Sequence, residues 1–553
     1  MSKLLPLVNP ISFHHLRGDL FGGLTAAIVA LPLALAFGVA SGAGAISGLY
    51  GAIFLGLFAS LLGGTPAQVS GPTGPMTVVI TTVIATLVAR HPETGLAMAF
   101  TVVMLGGVFQ ILLGVLRLGQ YITLMPYTVI SGFMSGVGVI IIVLQIPPLL
   151  GYTTPSGIWR TLQQLPQFLS QPNLLAAGLG LFTLTLVKLA PPRLNRILPA
   201  PLLALIAGTL ISVIFLGQGA VPRIGSIPTG LPELKLPTLT FSDLRIMVSY
   251  GLMLGTLGSI DSLLTSLVAD NITRTQHNPD KELIGQGIGN CLAGLFGGLP
   301  GAGATMRTVT NVQAGGRTPL SGIFHALTLL LITLGAGSLT TVIPHAVLAG
   351  LLIKVGLDII DWSFIQRAPR LSFKATGLMY LVLSLTVFVD LITAVVVGVF
   401  IANILTLKRL TDIQTTRVRA TSDPTQAAGL EAEEQELLTQ AQGNILLFQL
   451  GGPLSFGAAK TLSQRLSIVQ DYQVLLLDLS DVPVLGVTTA LAIETMVEDA
   501  AKRQRHVFVV ASFDQPRQRL RDLKLQRFAK VQILDNRLEA LQAASALLSV
   551  KTT

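Results

Sequence analysis

The chain has 553 residues, of which 51% are hydrophobic and only 11% charged, and it carries a formal net charge of +9. A soluble protein holds about 25% charged residues, so this composition, with a mean hydropathy of +0.70, excludes an ordinary soluble protein. The single cysteine, Cys291, excludes an internal disulfide framework and a cysteine-based metal site.

The charges are unevenly placed. Residues 1–410 hold 21 Lys/Arg against 11 Asp/Glu, and residues 411–553 hold 15 against 16. The basic excess therefore belongs to the hydrophobic part, where it reads as topology and an anionic cargo, and no nucleic-acid partner is expected. The first residues are polar and lack the short apolar core of a cleavable leader. Asn9 to Asp19, with His14, His15 and Arg17, reads as a cytoplasmic lead-in.

Fourteen spans are expected, at 20–40, 46–63, 71–88, 95–116, 123–149, 173–189, 199–217, 246–268, 283–298, 304–314, 319–336, 340–356, 373–388 and 389–407. Several are shorter than the roughly 20 residues that cross a bilayer as one helix. The inner loops of this scheme carry Arg117, Lys188, Arg193, Arg196, Arg274, Lys281, Arg317, Arg367, Arg370, Lys374, Lys408 and Arg409. The outer loops carry Arg90, Arg160, Arg223, Lys235 and Arg245. That bias puts both termini in the cytoplasm.

Residues 411–440 read as a linker with some helix, with a turn at Thr421-Ser422-Asp423-Pro424 and an acidic patch from Glu431 to Glu436. From Gly443 the pattern becomes soluble α/β. Ile445–Leu450, Val474–Leu479 and His506–Val510 read as buried strands, and Ala458–Val469, Thr488–Arg503, Pro516–Leu523 and Arg537–Ser549 as helices. A domain of this length can bury its own core.

Two stretches break the hydrophobic part. One is Gln68-Val69-Ser70-Gly71-Pro72-Thr73-Gly74-Pro75-Met76-Thr77, leading into Val78 to Val88. The other is Gly297-Gly298-Leu299-Pro300-Gly301-Ala302-Gly303-Ala304-Thr305-Met306-Arg307. Each unsatisfied peptide group in lipid costs several kcal/mol, so such backbone survives only when protein buries it or it lines a wet cavity. They fall in different halves of the hydrophobic part, which is the pattern of a transporter site built on inverted repeats. Half-helices starting there, at 71–88 and 304–314, would aim free N–H groups and positive dipole ends at an anion. Taken singly, each would read as a loop between complete helices.

Asp261 is the only ionisable residue in span 246–268. An acid at that depth needs a partner or a wet cavity, so it is a functional candidate; the alternative is a packing role. Thr265 shares its helical face, and with backbone carbonyls the pair forms a hard-oxygen set for a small cation. Asp270, Asp280 and Glu282 fall at or beyond a helix end and read as solvated. His325 and His345 read as packing or loop residues. Arg307, in the first turn after the break, either faces the cavity or turns away. No Walker loop, metal motif or nucleophile–base set is present, so no enzyme is expected.

The motifs together resemble the SulP anion-transporter family, a hydrophobic domain of fourteen spans followed by a cytoplasmic STAS domain, over nearly the whole chain. They are Ser47-Gly48-Leu49-Tyr50-Gly51 with Gly63-Gly64-Thr65, then Ser70 to Pro75, Gly297 to Arg307 with Gly315-Gly316-Arg317-Thr318, and Leu477-Asp478-Leu479-Ser480 with Val482. Ala30 to Gly38, with Leu33 where many members carry a polar residue, joins Asp261, Thr265 and Gly303-Ala304-Thr305 in resembling the family's sodium-dependent bicarbonate transporters of cyanobacteria. The resemblance implies domains at 1–410 and 441–553. It implies two inverted seven-segment repeats whose half-helices meet at mid-membrane. Its implied sodium site is Asp261, Thr265, Gly303, Ala304 and Thr305. Its implied bicarbonate site lies at Thr73, Ser70, Gly74, Ala304, Thr305 and Arg307, with Leu33 and Leu35 as a wall.

The resemblance further implies a plasma-membrane homodimer, with the STAS domain as one candidate interface, an elevator-like motion, and no cofactor beyond coupling sodium. Proton-coupled transport of sulfate or a dicarboxylate is the alternative, followed by an anion channel or a membrane sensor. Soluble STAS relatives carry Asp-Ser-Ser where this chain has Leu485-Gly486-Val487-Thr488-Thr489. Phosphorylation is therefore not expected, and a helix N-cap at Thr488 or Thr489 is.

Overall fold

The computed structural model describes residues 8–122, 126–155, 157–191, 199–217, 219–225, 232–416, 418–423, 427, 429–452, 454 and 472–549. Arg193, Arg196, Pro424 and the expected helix Ala458–Val469 lie outside them. The chain divides into two units, residues 1–400 and 401–553.

The first unit is helical. Its elements in order are α1 (Leu16–Ser41), α2 (Ala45–Leu62), strand β1 (Ser70–Pro72), α3 (Gly74–Arg90), α4 (Gly95–Val115), α5 (Tyr127–Leu149), α6 (Ile158–Ser170), α7 (Leu174–Leu189) and α8 (Ala200–Phe215). Then come α9 (Leu244–Thr273), α10 (Pro279–Leu295), strand β2 (Gly301–Gly303), α11 (Thr305–Gln313), α12 (Pro319–Ala336), α13 (His345–Ile359), α14 (Trp362–Leu371), α15 (Phe373–Phe388) and α16 (Leu391–Thr416). Each of the fourteen expected spans coincides with one helix; α6 and α14 were read as loops. Among the described residues, α1, α2, α4, α5, α9 and α16 are each long and apolar enough to cross a membrane alone. The remaining helices are shorter or bent, as where α6 and α7 meet at 112°. Both α6 and α14 have one apolar and one polar face, which an average over a window hides.

Packing sorts the helices into two bundles. In one, α1–α4 interleave with α9–α12; in the other, α5–α8 pack with α13–α16. Each bundle takes corresponding helices from the two halves of the chain, and α6 corresponds to α14. The broken stretches belong to the first bundle. There β1 pairs antiparallel with β2, with Ser70 opposite Gly303 and Pro72 opposite Gly301. The ladder satisfies part of the backbone exposed by the two breaks, and side chains of α9 and α10 satisfy the N–H and carbonyl groups of Gly301 and Gly303. The two following helices are unequal in length. With 9 residues, α11 is about 14 Å long at 1.5 Å per residue, a true half-helix. With 17 residues, α3 is about 26 Å long and nearly crosses the roughly 30 Å hydrocarbon core.

The second unit holds β3 (Val418–Thr421), α17 (Ala432–Gln440), β4 (Ile445–Gly451), β5 (Val474–Asp481), α18 (Val487–Lys502), β6 (His506–Val510), α19 (Asp514–Asp522), β7 (Val531–Leu534) and α20 (Arg537–Ser549). The strands lie in the order β3-β4-β5-β6-β7, with β3 antiparallel and the others parallel. Alternate strand residues face opposite sides. Leu446, Phe448, Leu475 and Leu477 pack toward α18, while Ile445, Leu447, Val474 and Leu476 pack toward α17 and α20. Residues 411–440 are therefore not a plain linker. They complete α16, supply the edge strand β3 and supply α17, which packs on α20. The N-cap of α18 is Gly486, not Thr488 or Thr489. Thr489 is buried one turn inside the helix.

Candidate functional site

The strand crossing leaves two helix N-termini without side-chain caps. Thr73 precedes α3 and Ala304 precedes α11, and neither side chain accepts from its helix. The first-turn N–H groups are orphans that an anion can satisfy, and each dipole adds roughly half a positive charge there. Antiparallel pairing sends α3 and α11 away from opposite ends of the ladder.

Asp261, on α9, faces this crossing. It is partly exposed to an apolar cavity of about 320 Å³ between α5, α9 and α16, lined by residues such as Phe133, Leu252, Leu257, Ile260 and Val395. Its Oδ2 is buried and has no hydrogen-bond partner among the described residues. Thr73 lies beside it, close enough for its hydroxyl to act on the carboxylate, and that hydroxyl has no other partner among the described residues. One helical turn on, Thr265 Oγ1 donates to the Gly303 carbonyl at 2.9 Å and lies 2.8 Å from Thr305 Oγ1. The Gly303 N–H donates to Ser262 Oγ at 3.0 Å. Asp261, Thr265, Gly303 and Thr305 are thus brought together, with Ala304 next in chain. The set is one carboxylate, hydroxyls and a carbonyl, all hard oxygen donors. No cluster of three or more His, Cys, Asp or Glu that could hold a metal occurs among the described residues. A singly charged, hard cation fits such donors; a transition metal does not.

Of the residues expected at the anion, Thr73, Gly74, Ala304 and Thr305 sit at the two N-termini. A Cβ on Gly74 would lie 2.5 Å from Ile359 Cδ1 and 3.0 Å from Ile141 Cδ1, so its bareness lets the second bundle touch the start of α3. Two others turn away. Ser70 Oγ accepts from Gln286 Nε2 of α10 at 2.6 Å. Arg307 is 2% exposed and donates from Nη2 to the Pro72 carbonyl at 2.5 Å. A Cβ on Gly71 would fall 2.2 Å from Arg307 Nη1, so glycine is required for this close approach. Arg307 ties β1 to α11 from behind the crossing. The wall of Leu33 and Leu35 is also corrected. The two are about 200° apart on the continuous helix α1, so they point to opposite sides. Leu33 shares a face with Phe37, which lines a small cavity with Thr77 and Thr81 of α3; Leu35 is fully buried.

Other acids were misjudged. Glu282 is 1% exposed, not solvated. Asp270 binds His277 Nδ1 at 2.7 Å. Asp19, read as part of the lead-in, is fully buried and accepts from Arg317 N, Thr318 N and Thr318 Oγ1 at the start of α12. His325 is fully buried, with neither ring nitrogen hydrogen-bonded among the described residues.

The sequence matches the sulfate permease family over residues 16–382 and the STAS domain over residues 436–539. The chain belongs to the sulfate permease family. Among the chain's relatives, the bicarbonate transporter BicA of Synechocystis sp. is 52% identical over 542 residues, covering 98% of this chain and 96% of that protein. A putative sulfate transporter of Bacillus subtilis, YvdB, is 29% identical over 72% of this chain and 73% of its own length. The solved transmembrane domain of a cyanobacterium bicarbonate transporter BicA matches 70% of this chain and all of its own, with 54% identity and a TM-score of 0.68. The structure of SLC26A9 matches 98% of this chain and 92% of its own at a TM-score of 0.82, but with 17% identity it speaks for the fold alone. The chain is thus a helical membrane transporter with a C-terminal STAS domain.

Proposed function

We propose that the chain is a sodium-coupled bicarbonate symporter of the plasma membrane. The observation that carries this reading is the Asp261 carboxylate, with only the Thr73 hydroxyl beside it, at a crossing whose two helix N-termini have no side-chain cap. Full-length relatives named as bicarbonate transporters support the choice of anion.

Sodium binds Asp261 with oxygens of Thr265, Gly303 and Thr305, and so neutralises a carboxylate that would otherwise repel an anion at Thr73 and Ala304. Bicarbonate then takes the orphan N–H groups of α3 and α11. Each ion raises the other's affinity by the same factor. The bundle carrying the crossing slides against the bundle of α5–α8 and α13–α16, with Gly74 at the sliding surface. The Lys/Arg bias places both termini and the STAS domain in the cytoplasm, and the assembly is a homodimer.

The test is uptake of labelled bicarbonate into vesicles carrying the protein, with sodium or with a replacement cation, for wild type and Asp261→Asn. Uptake that requires sodium and disappears in the variant is expected. Sodium-independent uptake, or accumulation of sulfate driven by a proton gradient, would refute the reading in favour of the proton-coupled one.

A further inference from the structure

The polar face of α10 lies behind the crossing. Glu282, Gln286 and Asn290 recur every fourth residue, hence on one helical face, and are 1%, 0% and 2% exposed. A polar stripe this deeply buried is costly unless its hydrogen bonds do something specific. Asn290 holds β2: its Nδ2 donates to the Gly301 carbonyl at 3.0 Å and its Oδ1 accepts from the Gly301 N–H at 2.9 Å. Gln286 holds β1 through Ser70 Oγ and also donates to Glu282 Oε1 at 2.8 Å.

Glu282 reaches further. Its Oε1 accepts from Gln68 Nε2 at 2.7 Å. Gln68 Oε1 accepts from Ser266 Oγ at 3.1 Å, and Ser266 follows Thr265 in the chain. Gln68 also lies flat against Gly303, where a Cβ would fall 2.3 Å from Nε2. Gln68 is therefore the plate on which Gly303 rests, and Glu282 holds that plate by a charge-assisted bond. The second oxygen, Oε2, makes no hydrogen bond at ordinary distance among the described residues, but Thr65 lies beside the carboxylate and its hydroxyl is 2.7 Å from Ser266 Oγ. For packing alone, an isosteric glutamine would give Gln68 and Gln286 the same acceptor without a buried charge.

We infer that Glu282 is a positioning residue for the cation: through Gln68 it sets the placement of the Gly303 carbonyl and of the Thr265 turn, and so sets sodium affinity without touching either ion. This rests on the sodium reading above. Both branches reach Gly303, the Gln68 branch directly and the Gln286 branch through Ser70, which pairs with Gly303 in the ladder; of the two, the Gln68 branch also reaches Ser266, next to Thr265.

The experiment measures sodium dependence of bicarbonate uptake in reconstituted wild type, Glu282→Gln and Gln68→Met, and, separately, how far sodium raises the melting temperature of each purified full-length protein. Charge-assisted hydrogen bonds are roughly twice as strong as neutral ones, so Glu282→Gln should raise the sodium concentration for half-maximal uptake about fivefold to tenfold. At saturating sodium, its maximal rate should stay within about twofold of wild type and bicarbonate half-saturation should not move. Gln68→Met should shift sodium dependence in the same direction. Sodium stabilises whatever binds it by mass action, so both variants should need more sodium for the same thermal shift, a readout that survives even if transport is lost. Wild-type sodium dependence in both variants would overturn the inference while leaving sodium coupling intact. A fall in folded protein and maximal rate with unchanged half-saturation would overturn it too, in favour of simple packing. Sodium-independent uptake by the wild type would remove sodium coupling itself, and this inference with it.

Discussion

The two units treat their buried charges in opposite ways. In the STAS domain, Arg537 donates to both oxygens of Glu434, at 2.9 and 2.7 Å, and to Asp478 Oδ2 at 3.1 Å, while Asp478 Oδ1 accepts from Ser480. That network ties α20 to α17 and β5. At the crossing, by contrast, Asp261 Oδ2 and Thr73 Oγ1 lie side by side with no other partner among the described residues. Buried polar atoms are nearly always paired, so a cluster of unpaired ones marks a place where a ligand or water completes the bonds. The STAS network closes on itself, while the crossing leaves polar atoms open to a ligand.

Variants should break this contrast in order of size. Arg537→Met leaves Glu434 and Asp478 buried without their cation, so it should destabilise the C-terminal unit by about 3–5 kcal/mol. Hydrogen exchange over residues 432–440 and 537–549 would read that loss, with the sodium dependence of transport unchanged. Asp261→Asn should reduce sodium-dependent uptake by about a hundredfold, yet leave the sodium-free melting temperature equal or higher. Removing a buried charge that has no partner relieves a cost. Gly303→Ala drives a methyl into Gln68, and overpacking of this kind costs about 1–3 kcal/mol; thermal melting and loss of the sodium-induced shift would both report it.

The smallest effect is one of pH. Burial pushes the Glu434 carboxyl up, but hydrogen bonds from Arg537 and the Glu431 N–H, with the Arg537 charge, bring it below the ordinary glutamate value. A depressed carboxylate contributes stability above its unfolded value, and that contribution is lost as pH falls through the folded one. Exchange in α17 and α20 should therefore accelerate below about pH 4.5, more steeply in wild type than in Arg537→Met. Equal slopes would show that this pair does not couple to protons.

Much of the bilayer unit was legible because lipid imposes strict rules. Apolar runs set the helices, and Gly/Pro breaks located the crossing. Asp261 and Thr265, four residues apart, had to share a face whatever the fold. In the STAS domain, buried strands rich in Leu and Val were visible, while β3 and β7 were not. Four residues of mixed character such as Val418–Thr421 become a strand only because β4 offers an edge.

Other features were invisible for a common reason. Glu282 sits in the first turn of α10 beside Asp280 and Lys281, where local context suggests solvent; it is buried by distant segments, among them Gln68, 214 positions earlier in the chain, and Gly63 and Thr65. Ser70 and Arg307 lie within motifs that suggest an anion, and the direction of each was decided by α10 and by β1.

The sequence by itself determined where helices run, where they must break, and which oxygen donors share a helical turn, because these follow from hydropathy, backbone conformation and helical period. Only the tertiary structure decided that β1 pairs with β2, that α3 nearly spans while α11 does not, and that Glu282 supports Gly303 through Gln68. Those facts depend on contacts between segments more than two hundred residues apart, and no local preference encodes them.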